Sequence, residues 1–211
     1  MKNVNMKNLT PIAIILMGMV MFMIGKLSTT TSASVVVNKP LVFNYIIESN
    51  YIGSEIDYET EASYIKSNFN SVMSISKIKH LLIYINGMCE HYDLNYNLVK
   101  SVISTESHWN PRAKSRVGAL GLMQIMKACA TDYKTPHSEM YDPYVNVTIG
   151  IKYLSKLTNR FDNTPTALVG YNEGPRNADK YSFNYINDAK YVHKVMDYLL
   201  DFEPYVEVAV N

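Results

Sequence analysis

Glu106 is the residue of this chain best placed for acid–base chemistry. It follows the run Leu98 to Thr105, and helical periodicity puts an apolar stripe on one face of that run, with Glu106 near the middle of the stripe. Asn110-Pro111 favours a turn or extended backbone just beyond. We therefore expect Glu106 on the last turn of a packed helix, where the apolar face opens into a cleft. A carboxyl group there acquires a raised pKa and can act as a general acid near neutral pH.

The residues after Glu106 separate this interpretation from the simpler one, a helix-end carboxylate that reaches solvent. Trp109 follows, and we expect it to form a wall under the helix rather than a platform for a sugar. Gly118 to Gly121 is a small-residue stretch that can pass close to a ligand or to another backbone. Gln124 places an amide at the predicted start of the next helix, able to donate to and accept from sugar hydroxyls.

Other chemistries lack their residues in this sequence. A two-carboxylate glycosidase needs a second acidic residue opposite the acid, and none occurs between Ser107 and Leu120. His108, His137 and His193 are scattered, so no metal site is predicted. No serine or cysteine is accompanied by an evident base. The sequence leaves one acid–base carboxyl group, with no cofactor and no metal.

Four ordered motifs resemble a known family. Glu106-Ser107 with Trp109-Asn110-Pro111 comes first, and Ser115 followed by Gly118-Ala119, Gly121 and Leu122-Met123-Gln124 comes second. Gly170-Tyr171-Asn172-Glu173-Gly174-Pro175 and Tyr191-Val192 with Val195 complete the set. Together they resemble the soluble lytic transglycosylase domain of the lysozyme-like superfamily. The resemblance implies an all-α, lysozyme-like domain that acts on the glycan strands of peptidoglycan.

The resemblance also implies a role for each matching residue. Glu106 would first protonate the glycosidic oxygen and then accept a proton from the 6-hydroxyl of N-acetylmuramic acid, which closes a 1,6-anhydro ring. Ser115 and Gln124 would orient the acid and the substrate amide. Tyr171 and Asn172 would line the site beside the bond that breaks. Tyr191 would hydrogen-bond Glu106 from the last helix. From the residues alone, core packing is an equal alternative for the two tyrosines.

The chain departs from the family at Gly170 and Glu173, where the family often has alanine. Glu173 adds a carboxylate near the site. Neighbouring side chains on a helix diverge by about 100°, so Glu173 should point to the rim or to solvent if Asn172 faces the site. Two rival functions remain open. One is a goose-type lysozyme hydrolase that uses water as the acceptor, and the other is a muropeptide-binding domain without catalysis.

The N-terminal part of the chain predicts export. Ile12 to Ile24 contains no charged residue, and Lys2 and Lys7 precede it, which directs the following residues across the membrane. Residues 1–34 are interpreted as a cleaved signal peptide or an uncleaved anchor, with membrane association through residues 9–27. Residues 35–76 form a stalk or a small N-terminal subdomain. Residues 77–203 form the catalytic domain, and residues 204–211 a tail.

Periodicity and capping signals predict six helices in the catalytic domain. They run from Lys77 to about Asp93, from Asn95 through Glu106, from Gly121 to Thr131, from Asp142-Pro143 through Leu157, from Pro165 to Asn172, and from about Ala189 to Leu200. Cys89 and Cys129 fall on apolar faces of two of these helices, and two buried free thiols are favoured over a disulfide.

Composition narrows the class of partner. Lysine and arginine number 20 against 19 acidic residues, so the net charge is +1 and nucleic acid is not an expected ligand. A length of 211 residues fits one domain with additional segments. The sequence leaves the protein partners of the chain unknown.

Overall fold

A computed structural model describes residues 56–161, 163–182, 185–186 and 189–202. The predicted signal or anchor at residues 1–34 lies outside these residues. Within the described part of the chain, no helix is both long enough and apolar enough to cross a bilayer.

The described residues form eight α-helices and one short 3-10 helix. The α-helices are α1 (Tyr58–Asn68), α2 (Ile75–Tyr92), α3 (Tyr96–Ser107), α4 (Lys127–Asp132), α5 (Pro143–Arg160), α6 (Thr164–Glu173), α7 (Pro175–Ala178) and α8 (Lys190–Phe202). The 3-10 helix spans His137–Tyr141. The β-type pairing within the same residues consists of two isolated bridges, Lys114 with Leu120 and Leu120 with Ile125. This part of the chain is therefore all-α, as predicted.

Local capping chemistry fixes the start of the main helices. The Asn95 side chain accepts a hydrogen bond from the amide of Leu98 at the start of α3. Asp142 accepts from the amides of Tyr144 and Val145 at the start of α5, where Pro143 needs no partner for a backbone N–H. Both caps confirm what the sequence predicts.

Helix α3 lies at the centre of the packing. Its residues Leu98, Val99, Val102 and Ile103 are buried in the core, and α8 packs along it. Helix α2 packs against α1 on one side and against α5 on another. Helix α2 also packs against α3, so α2 and α8 together hold the glutamate-bearing helix.

Two features of the structure differ from the sequence expectation. The third predicted helix, Gly121 to Thr131, is wrong in its first half, because the backbone turns through Gln124 with φ of 49° and helix α4 begins only at Lys127. Helix α1 was not predicted. It buries Ala62 and Ile65 in the hydrophobic core.

Candidate active site

Glu106 lies on the last turn of α3, and the backbone beyond it is strained. His108 caps the helix in the left-handed region with φ of 50°, and Trp109 follows with φ of 59°. Two consecutive non-glycine residues in this region are uncommon, and such strain concentrates at functional sites. The turn they make ends the helix directly after the carboxylate.

Trp109 holds this strained turn in place. Its side chain is fully buried, and its indole Nε1 donates to the hydroxyl of Ser104 at 2.9 Å. Its carbonyl oxygen accepts a hydrogen bond of 2.8 Å from the hydroxyl of Ser71. Trp109 is therefore a wall beneath the helix, as predicted, and its ring is not available as a platform for a sugar.

Tyr191 of α8 reaches Glu106 across the helix pair. Its hydroxyl donates to Glu106 Oε1 at 2.7 Å, the contact expected between these residues. Burial raises the pKa of Glu106 to about 7, and the Tyr191 hydroxyl partly offsets this rise by stabilising the charged form. Burial and the nearby Glu106 carboxylate raise the pKa of Tyr191 well above its usual value, so Tyr191 stays a proton donor.

Lys194, one turn further along α8, brings a positive charge to the site. Its attraction lowers the pKa of Glu106, though by less than burial raises it. Its Nζ donates to the carbonyl oxygen of Thr105 at 3.4 Å, beside the C-terminal end of α3 where carbonyl groups lack helical partners. Glu106 can therefore exist in either protonation state near neutral pH.

The loop between α3 and α4 makes a second turn further along, between Ser115 and Gln124. The Ser115 hydroxyl accepts from the amide of Ala119 at 2.9 Å, while Leu120 and Ile125 pair through both backbone groups. The amide Nε2 of Gln124 donates to the carbonyl oxygen of Gly121 at 2.9 Å. Both predicted binding residues therefore lie in this second turn, and the side chain of each bonds a backbone group of the same turn.

Gly121 and Asn146 fix this turn against α5. Gly121 has φ of 77°, and a Cβ there would lie 2.1 Å from the carbonyl oxygen of Met140 and 2.2 Å from Asn146 Nδ2. The fully buried Asn146 side chain accepts from the Met123 amide at 2.7 Å and donates to the carbonyl oxygens of Leu120 and Met140 at 2.8 and 2.9 Å. The sequence analysis missed Asn146. The signal that could have pointed to Asn146 is its position one turn after the Asp142 cap of α5.

Tyr171 of α6 contacts the other side of the same turn. Its hydroxyl donates to the carbonyl oxygen of Met123 at 2.9 Å. Burial, followed by the charge of Glu106, raises the pKa of Tyr171 well above its usual value. Asn172, the next residue, is exposed on the surface of α6. The structure therefore links Tyr171 to the turn of Gln124 and to the electrostatic surroundings of Glu106, and leaves the Asn172 side chain on the surface.

Glu173, expected at the rim or in solvent if Asn172 faces the site, is held by two tyrosines. It is half-buried, and its carboxylate accepts from the hydroxyl of Tyr181 at 2.8 Å and from that of Tyr185 at 3.5 Å. Cys89 and Cys129 are both free thiols. Within the described residues, no group of histidine, cysteine and acidic side chains is arranged to hold a metal ion.

Comparison with known families identifies the family of the domain that carries this site. The model of the transglycosylase SLT domain matches residues 83–193, which is more than half of the chain. The chain belongs to the SLT transglycosylase family. The match begins inside α2 and ends in α8, so it includes Glu106, the turn of Gln124, Tyr171 and Tyr191.

Individual SLT relatives are similar over this domain. A transglycosylase of Enterobacteria phage PRD1 is 38% identical over 95 residues, which are 45% of this chain and 35% of that protein. The soluble lytic murein transglycosylase of Salmonella typhimurium is 38% identical over 93 residues, covering 39% of this chain and 14% of that protein. The chain therefore spans about a third or less of the length of these two relatives.

A solved structure supports the fold of this SLT domain. The crystal structure of the 70 kDa soluble lytic transglycosylase of Escherichia coli superposes with a TM-score of 0.52 at 20% identity. The superposition covers 69% of this chain and 29% of that one. The lysozyme-like helical fold expected from the motifs is therefore present.

Proposed function

We propose that this protein is a lytic transglycosylase of peptidoglycan. It cleaves the β-1,4 bond between N-acetylmuramic acid and N-acetylglucosamine and leaves a 1,6-anhydro-N-acetylmuramic acid end. The observation that carries the proposal is the Glu106 carboxyl group at the end of α3, whose pKa is about 7 and which accepts a hydrogen bond from Tyr191. A carboxyl group of this kind can give and take a proton at the same pH.

The reaction needs one carboxyl group in two successive roles. Protonated Glu106 gives its proton to the glycosidic oxygen, the bond from that oxygen to C1 breaks, and the leaving sugar departs with a hydroxyl group. The resulting carboxylate then removes the proton from the 6-hydroxyl of the muramic acid while O6 attacks C1. Glu106 ends protonated, as it began, and no water is consumed.

The remaining site residues have supporting roles in this proposal. Tyr191 fixes the position of Glu106 and stabilises its charged form between the two steps. Gln124 and Ser115 orient the acid and the substrate amide, and Tyr171 and Asn172 line the site beside the bond that breaks. The contact of Tyr171 with the carbonyl oxygen of Met123 supports this assignment, because it joins α6 to the turn that carries Gln124.

A hydrolase on the same fold is the main rival. Such an enzyme needs a carboxylate that activates water on the far face of the sugar, and Glu173 is the added acidic residue within the motifs. Its two carboxylate oxygens accept from the hydroxyls of Tyr181 and Tyr185. These contacts favour a structural task for Glu173 over the activation of water, and so support the water-free route.

Product analysis tests the proposal. Purified peptidoglycan is digested with the chain and with Glu106→Gln, and the muropeptides are measured by mass spectrometry. We expect 1,6-anhydro ends from the parent and a loss of cleavage of about 10⁴-fold or more in the variant, the upper end for general acid–base catalysis. Reducing ends as the main product would establish the hydrolase. Binding without cleavage by the parent would establish the binding domain.

Export is part of the same proposal, since peptidoglycan lies outside the cytoplasm. Residues 1–34 direct the domain to the cell envelope, either as a signal that is removed or as an anchor in the inner membrane. An alkaline phosphatase fused after Ser34 should be active. An inactive fusion would refute this topology, and sequencing of the mature N-terminus would distinguish removal from anchoring.

A further inference from the structure

The segment that follows the Tyr171-Asn172 motif contains a cluster of three residues that the proposed reaction does not use. Glu173 is the last residue of α6, and its Oε2 and Oε1 accept from the hydroxyls of Tyr181 and Tyr185 at 2.8 and 3.5 Å. We call these three residues the tyrosine cluster.

The two rings of the cluster stack on each other. Their centroids are 4.0 Å apart with an interplanar angle of 37°. Tyr181 packs against the hydrophobic core, whereas Tyr185 is 46% exposed. The inner ring is therefore anchored and supports the outer one, and the outer ring presents an aromatic surface to solvent with its hydroxyl turned toward Glu173.

The position of the cluster relates it to the site. Glu173 is one residue beyond Asn172, and both tyrosines lie in the segment between α6, which carries Tyr171, and α8, which carries Tyr191. Since Tyr171 contacts the turn of Gln124 and Tyr191 contacts Glu106, this segment starts and ends at site residues. A glycan strand bound at Glu106 has to extend beyond the bond that is cut, and the cluster lies on the stretch of chain that joins the two helices carrying Tyr171 and Tyr191.

We infer that the tyrosine cluster is a sugar-binding subsite, in which one pyranose ring of the glycan strand stacks on Tyr185. This inference rests on the proposed function for the identity of its ligand. Tyrosine suits such a ligand because its apolar face accepts the C–H face of a sugar while its hydroxyl edge stays polar. Tyr185 is the binding residue, and Glu173 is a positioning residue that fixes both hydroxyls and so holds the orientation of the rings.

Binding measured without turnover tests this inference. In the full-length chain carrying Glu106→Gln, a tetramer of β-1,4-linked N-acetylglucosamine is titrated by calorimetry. We expect Tyr185→Ala to weaken binding about fivefold to thirtyfold, the range that corresponds to losing one or two kcal/mol of contact. Tyr144→Ala is the matched control. Tyr144 is 40% exposed and also contacts a second tyrosine, Tyr84, at 5.2 Å between centroids, so its removal should leave binding unchanged.

Variants of Glu173 separate positioning from simple stabilisation. Glu173→Ala should weaken binding about as much as Tyr185→Ala, and Glu173→Gln should restore part of it, because the amide oxygen still accepts one hydroxyl. In the catalytically intact chain, both alanine variants should raise KM for glycan strands and leave kcat nearly unchanged. If the alanine variants instead lowered both the melting temperature and the activity at saturating substrate, the role of these residues would be purely structural and the inference would be overturned.

The two proposals fail in different ways. Tetramer binding equal in Tyr185→Ala and its parent would overturn the subsite even if the parent cleaves peptidoglycan as proposed. Weakened binding in Tyr185→Ala would support the subsite even if the products carried reducing ends. Absence of tetramer binding by the parent would overturn the subsite directly, whatever the digestion products are.

Discussion

Replacing Tyr191 by phenylalanine should change the pH at which the enzyme loses activity. In the proposed reaction the first step needs protonated Glu106, so the rate should fall as pH rises through the pKa of about 7. The Tyr191 hydroxyl donates to the carboxylate at 2.7 Å and thereby stabilises the charged form. Without that hydroxyl the charged form is less stable, the pKa rises, and the fall in rate moves to higher pH.

The size of the shift follows from the strength of the hydrogen bond. A hydrogen bond to a charged group contributes about 1.5–3 kcal/mol, and one pKa unit corresponds to about 1.36 kcal/mol. The protonated carboxyl group also bonds to the hydroxyl, so we expect the lower end, about one unit. At pH 8 the protonated fraction would then rise from about a tenth to about a half, and the rate relative to its own low-pH plateau would increase about fivefold.

The assay is the pH profile of kcat/KM on soluble glycan strands for the parent, Tyr191→Phe and Tyr84→Phe. Tyr84→Phe makes the same chemical change where the hydroxyl bonds Thr148 instead, at 2.7 Å. The height of the Tyr191→Phe profile should also fall, because the second step loses a stabilised carboxylate. Its midpoint is the decisive quantity. A midpoint that stays with the Tyr84→Phe control, or moves to lower pH, would refute the assignment of Glu106 as the acid.

Three further predictions concern the framework of the site. Gly121→Ala should lower the free energy of unfolding, measured by urea titration, by more than about 2 kcal/mol, because the new methyl group meets backbone in a strained turn. Gly87→Ala is the control: its methyl group lies in open space on α2, and it should raise the free energy of unfolding by up to about 1 kcal/mol. Glu61→Gln should cost about 3 kcal/mol by the same measurement, because it removes one charge from an ion pair whose lysine is fully buried, and a cost below about 0.5 kcal/mol would contradict the role of this pair. Titration of denatured, unreduced protein should find two free thiols per chain, and none would mean a disulfide.

The parts of the fold that the sequence predicted are those set by local chemistry. Asn95 and Asp142-Pro143 start helices through contacts within three residues, and such contacts can be read from the sequence. The position of Glu106 on the last turn followed from the apolar stripe before it and the proline after it. The strong periodicity of α3 and α8 therefore fixed the two elements that bring Glu106 and Tyr191 together.

The turn of Gln124, in the loop between α3 and α4, could not be predicted in the same way. Leu122, Ile125 and Cys129 have helical spacing, which suggested a helix from Gly121 onward. The structure turns there because Asn146, more than twenty residues away, accepts from the Met123 amide and donates to the Leu120 carbonyl oxygen. A long-range contact of this kind satisfies the backbone groups that a helix would have satisfied, and it has no signature in the local sequence.

Helix α1 was missed for a related reason. Its sequence is polar, and only Ala62 and Ile65 are buried, so its periodicity is weak. Glu61 attaches it to α3, because its carboxylate accepts from Lys100 Nζ and from the Tyr96 hydroxyl at 2.7 Å each. Those partners lie more than thirty residues away, and nothing in the sequence around Glu61 indicates them.

Helix α3 carries Lys100 and Glu106, and the charges of these two side chains are compensated to different degrees. Lys100 is fully buried, bonds Glu61, and lies 4.3 and 4.6 Å from the ring centroids of Tyr96 and Phe202. Its charge is compensated in a fixed geometry, which suits a residue that attaches α3 to both α1 and α8.

Glu106 accepts a hydrogen bond from the Tyr191 hydroxyl and is attracted by Lys194, and the effect of burial on its pKa still outweighs both. A carboxyl group with a full counter-ion would stay charged at neutral pH and could not donate a proton. The incomplete compensation at Glu106 is therefore what makes an acid–base role available at that end of the helix, while the ion pair of Lys100 keeps the helix in place.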